Sequence, residues 1–147
     1  MSIKEQLTEA MKNAMRAKDK PRLGTIRLAL AEFKRIEVDE RIDVSDERAL
    51  IILDKMVKQR RDSITQYDDA NRSELADQER FEIGILQEFM PAPLTDDEVA
   101  SLIEQAITDT GAEGMQGMGK VMGLLKPKLQ GRADMGAVSK LIKARLA

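Results

Sequence analysis

Apolar side chains recur every three or four residues along most of this chain, which is the spacing of one face of an α-helix. Four such stripes fall within residues 1–90 and are separated by short polar segments. They predict helices that begin near Ser2, Pro21, Ser45 or Asp46, and Ser73, and that end near Lys18, Val38, Asp69 and Met90. In the second stripe, Ala29 is placed at the margin of the buried face. No alternating pattern typical of a strand is long enough to predict a sheet.

A proline-containing segment, 91-93, follows the fourth helix and is predicted to link two lobes, 1-90 and 94-147. In the second lobe, Thr95 and Glu98 predict a capping box that opens a fifth helix. A sixth helix is predicted over about 118–125 and is expected to end at Pro127. A seventh begins after Asp134, with four core positions: Val138, Leu141, Ile142 and Leu146.

The predicted fold class is therefore all-α. Four N-terminal helices on short connections form an antiparallel bundle or a pair of helical hairpins, and a small three-helix lobe follows them.

The composition excludes several classes of function. The chain has no Cys and no His, so it lacks thiolate zinc ligands and the commonest general base, and we expect no metal, no cofactor and no nucleophilic triad. Aromatic residues make up only 3%, which is poor material for stacking bases. No apolar run reaches the length of a membrane span and no leader-type segment is recognisable, so a cytoplasmic location is expected.

Charge and glycine concentrate near the C-terminus. Seven of the nine glycines lie between Gly111 and Gly136, and seven Lys or Arg face a single acid after Gly114. On the sixth helix the spacing sets two glycines between two lysines, which predicts bare backbone flanked by cations. A phosphate chain can approach such a strip closely, and further Lys and Arg residues in the following turn and helix extend the positive charge. The candidate nucleic-acid-binding residues are Gly119, Lys120, Gly123, Lys126, Lys128, Arg132, Lys140 and Lys143.

Two other interpretations of this segment stand beside that one. The two glycines on the sixth helix also fit close packing against another helix of the lobe, with solvated lysines around them. Residues 114–120 match the start of a phosphate-binding loop, but Val121 stands where that loop needs Ser or Thr, and no strand is predicted before it.

A second charged cluster falls on the second and third helices. Its members are Arg27, Lys34, Glu37, Lys58 and Arg61. An ion pair between the two helices is the simpler interpretation, because an acid within an apolar stripe needs a partner. An anion site formed by the four bases is the alternative.

Several ordered segments resemble the YqeY family over essentially the whole chain: TIRLALAEFKRIEVDE, KQRRDSITQY, EIGILQEFMPAPLTDDEV and MGKVMGLLKPKLQGRADMGAVSKLIKARL. That family is similar to the tail domain of the B subunit of the bacterial aspartyl/glutamyl-tRNA amidotransferase. The resemblance implies a two-lobe helical fold and an association with transfer RNA, and it carries a family-level label of carbon-nitrogen ligase activity with glutamine as nitrogen donor. The positions that match the tail pattern are Gly119, Met122, Gly131, Ala133 and Val138.

The resemblance does not supply a catalytic centre. In the amidotransferase, amidation belongs to a large domain upstream of the tail and glutamine hydrolysis to another subunit, and neither fits inside this chain. The sequence therefore predicts a non-catalytic adaptor that binds transfer RNA or another structured RNA. The alternatives are an accessory to glutamine-dependent amidation and a module that binds a protein partner.

Overall fold

The computed structural model describes every residue from Met1 to Ala147 and contains seven α-helices, one 3-10 helix and no strand. This confirms the all-α prediction. None of the seven combines the length and the apolar character that crossing a bilayer requires. The helices are α1 (Ile3–Ala17), α2 (Lys20–Glu40), α3 (Asp46–Asp69), α4 (Ser73–Gln87), α5 (Asp96–Thr110), α6 (Met118–Leu129) and α7 (Met135–Leu146).

The chain divides into two compact units, Met1–Pro91 and Ala92–Ala147. In the first unit α1 packs mainly against α2, and α3 packs mainly against α4, so the unit consists of two helical hairpins. Helix α2 also contacts α3 and α4, which joins the hairpins around one core.

Local capping sets the helix starts of the first unit. The Ser2 hydroxyl accepts the Glu5 N–H and the Ser45 hydroxyl accepts the Arg48 N–H, as their positions predicted. Asp19 caps α2 in the same way by accepting the Arg22 N–H. Helix α2 continues two residues beyond the predicted end at Val38, and it ends at Glu40 because Arg41 adopts the left-handed conformation.

The first core is built on large side chains that are 0% exposed, namely Leu7, Ile26, Phe33, Leu53 and Leu86. Ala29 is also 0% exposed, so its predicted place at the margin of the stripe is wrong. The reason is that α2 packs against three other helices, which makes its buried face wider than a single stripe.

The second unit follows the predicted order of three helices. Thr95 and Glu98 form the predicted capping box at the start of α5, and Gly111 ends that helix with a left-handed φ of 64°. A 3-10 helix, Met115–Gly117, leads into α6. Helix α6 contacts both α5 and α7, so it lies at the centre of this unit's core.

Two predictions for this unit are wrong. Pro127 does not end α6, which continues to Leu129; Leu129 is 0% exposed, so its burial holds the last turn despite the missing proline N–H. Leu141, expected in the core, is 51% exposed. Helix α7 buries only a narrow stripe of Val138, Ile142 and Leu146, so Leu141 falls outside it.

Candidate nucleic-acid interface

Helix α6 presents two chemically different faces. Val121, Leu125 and Leu129 point into the core and are each 0% exposed. At about 3.6 residues per turn, Gly119 and Gly123 fall on the opposite side, and both are exposed. The outer side of the helix is therefore largely bare backbone.

The space outside these two glycines is open. A Cβ atom at Gly119 or at Gly123 would meet no other heavy atom within 4 Å. The interpretation that they let another helix of this unit pack closely is therefore wrong. The glycine that does allow a close approach is Gly117, which lies against Ala112. Glycine spacing does not distinguish Gly117 from its neighbours, so sequence reasoning missed it.

Five of the predicted lysines are exposed: Lys120, Lys126 and Lys128 on α6, and Lys140 and Lys143 on α7. Of these, Lys120 and Lys126 flank the two glycines at helical spacing. Helices α6 and α7 pack against each other. We call Gly119, Gly123 and these five lysines the glycine–lysine surface.

None of these lysine charges is neutralised by an acid of the same unit. The only ion pair of the unit joins Arg145 of α7 to Glu104 of α5, with Nη2 of the arginine 3.0 Å from Oε2 of the glutamate. This hydrogen-bonded contact raises the pKa of Arg145 and lowers the pKa of Glu104. Of the unit's seven acids, only Glu104 forms an ion pair, and its partner is an arginine outside the candidate set, so the five lysines form no ion pair.

Arg132, the sixth predicted base, is placed differently. Its side chain is only partly exposed, and its Nε donates to the carbonyl oxygen of Ala92 at 3.1 Å. In return, the N–H of Leu94 donates to the Arg132 carbonyl at 2.9 Å. Gly131, with a φ of 76°, makes the turn that brings Arg132 to this segment. The Nε atom is committed to the linker, and only the terminal nitrogens remain for a phosphate.

The cluster predicted on α2 and α3 does not form its expected ion pair. Glu37 instead pairs with Lys4 of α1, whose Nζ lies 2.7 Å from the Glu37 Oε2, and it accepts the Val44 N–H at 3.1 Å. These bonds, led by the one from Lys4, lower the pKa of Glu37. The prediction fails because the base that reaches Glu37 is Lys4 of α1, which the sequence places 33 residues away, and not a base of α3.

The four bases of that cluster remain at the surface: Arg27 and Lys34 on α2, and Lys58 and Arg61 on α3 are all exposed. The ion pairs that α3 forms include Arg48 with Glu40 of α2, and Arg60 with Glu82 of α4 at 2.7 Å, the latter with side chains only 14% and 15% exposed. An anion site made by the four exposed bases stays a prediction.

The structure contains neither a phosphate-binding loop at residues 114–120 nor a cluster of metal ligands. Gly114, with a φ of 66°, follows a turn and leads into a 3-10 helix, and the chain contains no strand, so residues 114–120 do not form a phosphate-binding loop. Val121, where that loop needs a hydroxyl, is fully buried. No group of three or more His, Cys, Asp or Glu side chains is placed to hold a metal ion.

Comparison with known proteins identifies one family. A family model described as "Yqey-like protein" matches residues 4–146. The chain is similar to a protein of Pyrenophora tritici-repentis named "Altered inheritance of mitochondria protein 41, mitochondrial", with 31% identity over 94% of this chain and 77% of that protein.

Two further proteins with the same name match shorter parts of this chain. The one from Kluyveromyces lactis is 36% identical over 70% of this chain, and the one from Eremothecium gossypii is 39% identical over 58%. The chain spans 57% and 48% of the lengths of these two relatives.

Proposed function

This chain belongs to the Yqey-like protein family, and on that premise we propose that it is a non-catalytic helical adaptor that binds RNA, most directly transfer RNA, through its glycine–lysine surface. The observation that carries the proposal is the combination of open backbone at Gly119 and Gly123 with five lysines that have no acidic partner. A phosphate chain can approach bare backbone closely, and lysines supply the charge that most RNA affinity rests on.

The aromatic content supports one mode of RNA binding over another. The second unit, Ala92–Ala147, contains no Phe, Tyr or Trp on which an unpaired base would stack. Recognition by this unit would therefore depend on phosphate positions and on the shape of a folded RNA. Transfer RNA, with its compact double-helical arms, fits that mode better than an unstructured strand.

We propose that the chain has no ligase activity of its own. The chain has no His or Cys, and no cluster of metal ligands stands near the surface described. We therefore propose that any link to glutamine-dependent amidation is indirect, through a partner that holds the reaction centre. An assay for amidation would then require that partner as well as this chain.

The open glycines also favour one competing function. A strip without side chains accepts a partner helix at close range, which would make the second unit a protein-binding module. The two functions differ in their response to salt. Phosphate contacts weaken steeply as salt rises, whereas a packed helix interface loses little affinity.

The relatives' names place those proteins in mitochondria, whereas the chain itself was expected in the cytoplasm. We propose that it works in whichever of the two compartments holds its RNA. Transfer RNA is present in both, so the RNA proposal does not depend on the location.

The test is a salt titration of binding to labelled bulk transfer RNA. Lys120→Glu/Lys126→Glu reverses two charges of the glycine–lysine surface, and Lys12→Glu/Lys20→Glu makes the same charge change at exposed positions of the first unit. We expect the first variant to bind weakly and to lower the slope of log affinity against log salt by about 2, or about one for each phosphate that is no longer bound. We expect the control to bind as the native chain does.

Two results would overturn the proposal. If the native chain does not bind at low salt, the RNA function is wrong. If both variants weaken binding equally, the attraction is general and the glycine–lysine surface is not the site.

A further inference from the structure

The side of α2 that faces away from the core exposes two large apolar side chains, Leu28 and Val38. Five positions on it alternate in steps of four and three residues, which is the seam spacing of a coiled coil. They are Gly24, Leu28, Ala31, Arg35 and Val38, all exposed. Leu28 is 49% and Val38 is 63% exposed. We call these five residues the α2 outer face.

An uncovered groove runs along one edge of this face. It lies between α2 and α3, has a volume of about 480 Å³, and is lined about equally by apolar side chains, such as Leu28, Ile51 and Met56, and by polar or charged ones. Ile51, on the α3 side, is 39% exposed. The apolar surface therefore continues from α2 onto its neighbour.

Charges on the two flanks of the α2 outer face have opposite signs. At about 3.6 residues per turn, Arg27 and Lys34 lie on one flank, and Glu32 and Asp39 lie on the other. Arg35 lies between them on the seam and pairs with both acids, at 2.9 Å to Glu32 and 3.3 Å to Asp39. The helix thus has a basic edge, a seam that is apolar except at Arg35, and an acidic edge, over two heptads.

We propose that the α2 outer face binds the same face of a second copy of this chain, with the two α2 helices parallel. When two identical helices meet face to face in parallel, the left flank of each lies against the right flank of the other. The basic edge of one copy then meets the acidic edge of its partner, twice by symmetry. In the antiparallel arrangement, like charges would meet on both sides.

The side-chain sizes along the α2 outer face allow a second α2 helix to pack against it. A Cβ at Gly24 would meet no heavy atom within 4 Å, and Ala31, one heptad further on, is also small, so two backbones can approach there. Leu28, between those small positions, and Val38, one heptad beyond Ala31, supply the larger apolar contacts. A helix of 21 residues is only about 30 Å long, and its single face falls short of the roughly 800 Å² per partner of a standard interface. The dimer is therefore weak and depends on concentration.

The first experiment measures molar mass by sedimentation equilibrium over a range of concentrations. The native chain should pass from monomer to dimer as its concentration rises. Arg27→Glu/Lys34→Glu makes both flanks acidic, and Glu32→Lys/Asp39→Lys makes both basic, so each variant alone should stay monomeric. An equimolar mixture of the two should recover the dimer. Lys120→Glu/Lys126→Glu, with the same charge change in the second unit, should dimerise as the native chain does.

Several outcomes would overturn the proposal. A native chain that remains monomeric at the highest concentration shows that the face has no second copy as its partner. Flank variants that dimerise like the native chain, or a mixture that stays monomeric, show that the edges do not pair.

A second experiment tests the orientation, and it uses the absence of cysteine from the chain. In the parallel arrangement, position 24 lies against its own counterpart, so Gly24→Cys should form a disulfide-linked dimer under mild oxidation. Thr65→Cys, exposed on α3, should not. If Gly24→Cys crosslinks only when mixed with Val38→Cys, the helices are antiparallel and the proposed arrangement is wrong.

Discussion

A Cβ atom at Gly117 would lie 2.6 Å from the Cβ of Ala112, a distance at which one of the two backbones must move. Gly117 is buried and directly precedes α6, whereas Ala112 follows Gly111, the residue that ends α5. The contact therefore sets how the connection between α5 and α6 folds back on itself, and with it where the glycine–lysine surface begins.

Replacing Gly117 with Ala is expected to destabilise the second unit by about 1–3 kcal/mol, which is typical of overpacking. Gly123→Ala, in open space within α6, should instead stabilise it by about 0.5–1 kcal/mol through helix propensity. Hydrogen exchange of the buried amides of Val121 and Ile142 reports on this unit alone. Equal effects of the two substitutions would contradict the close contact.

Arg132 should be a linker residue more than a phosphate ligand. Arg132→Ala removes the Nε bond to the Ala92 carbonyl and should cost about 1 kcal/mol locally, which speeds exchange of the Leu94 amide roughly five-fold. Lys128→Ala, which removes an exposed cation near the end of α6, should leave the Leu94 amide unchanged. If the Arg132 variant exchanges like the native chain, the bond does not hold the linker.

The helices were predictable because their signals are local. Ser2, Thr95 and Asp134 each cap the helix that follows by accepting a backbone N–H two or three residues on, so the sequence alone contains both partners. The ion pair of Lys4 with Glu37 spans 33 residues, and its partner depends on which side of α2 faces α1. Periodicity identifies a buried face but not which helix will cover it.

The candidate site was predictable in part for the same reason. The placement of Gly119 and Gly123 opposite the apolar stripe follows from helical geometry, whereas the open space outside them depends on the whole unit. Arg132 looked like one more cation, because its bond to Ala92 spans 40 residues. Pro127 was expected to end α6, but burial of Leu129 outweighs the local preference.

Two adjacent residues of α7 should differ sharply in their effect on stability. Ile142 is 0% exposed and Leu141 is 51% exposed. Ile142→Ala should lower the free energy of unfolding of the second unit by about 2–5 kcal/mol, and Leu141→Ala should change it by less than about 0.5 kcal/mol. Urea unfolding followed by amide exchange in the same unit measures both. A large loss of unfolding free energy in Leu141→Ala would show that Leu141 packs in the core.

Glu37 should make the first unit sensitive to acid. Its pKa lies below the ordinary 4.5, first because of the hydrogen bond from Lys4 and then because of the one from Val44. A lowered pKa means that the unfolded chain binds the proton more readily, so the contribution to stability is present above pH 4.5 and is lost as the pH falls through the folded-state pKa. Glu37→Gln should be less stable than the native chain at pH 7, and the gap should narrow in acid.

The matched control for Glu37 is Glu9→Gln, at an exposed carboxylate of α1. It removes the same charge and should track the native chain across the pH range in urea unfolding. A gap for Glu37→Gln that stays constant from pH 7 to below the carboxylate range would show that the charge of Glu37 contributes nothing.

Glu79 should show the opposite pH dependence. Burial raises its pKa above the ordinary 4.5, the nearby charge of Glu82 raises it further, and Arg60 opposes both. Because the folded state holds the proton more tightly, ionisation of Glu79 opposes folding, and stability is lost as the pH rises from 4.5 through the folded-state pKa. Glu79→Gln removes that cost, so we expect the variant to be more stable than the native chain at pH 7 and to converge with it in acid. Urea midpoints of the first unit at several pH values measure this. A variant that is less stable at pH 7 would show that Glu79 gains more from Arg60 than it loses by burial.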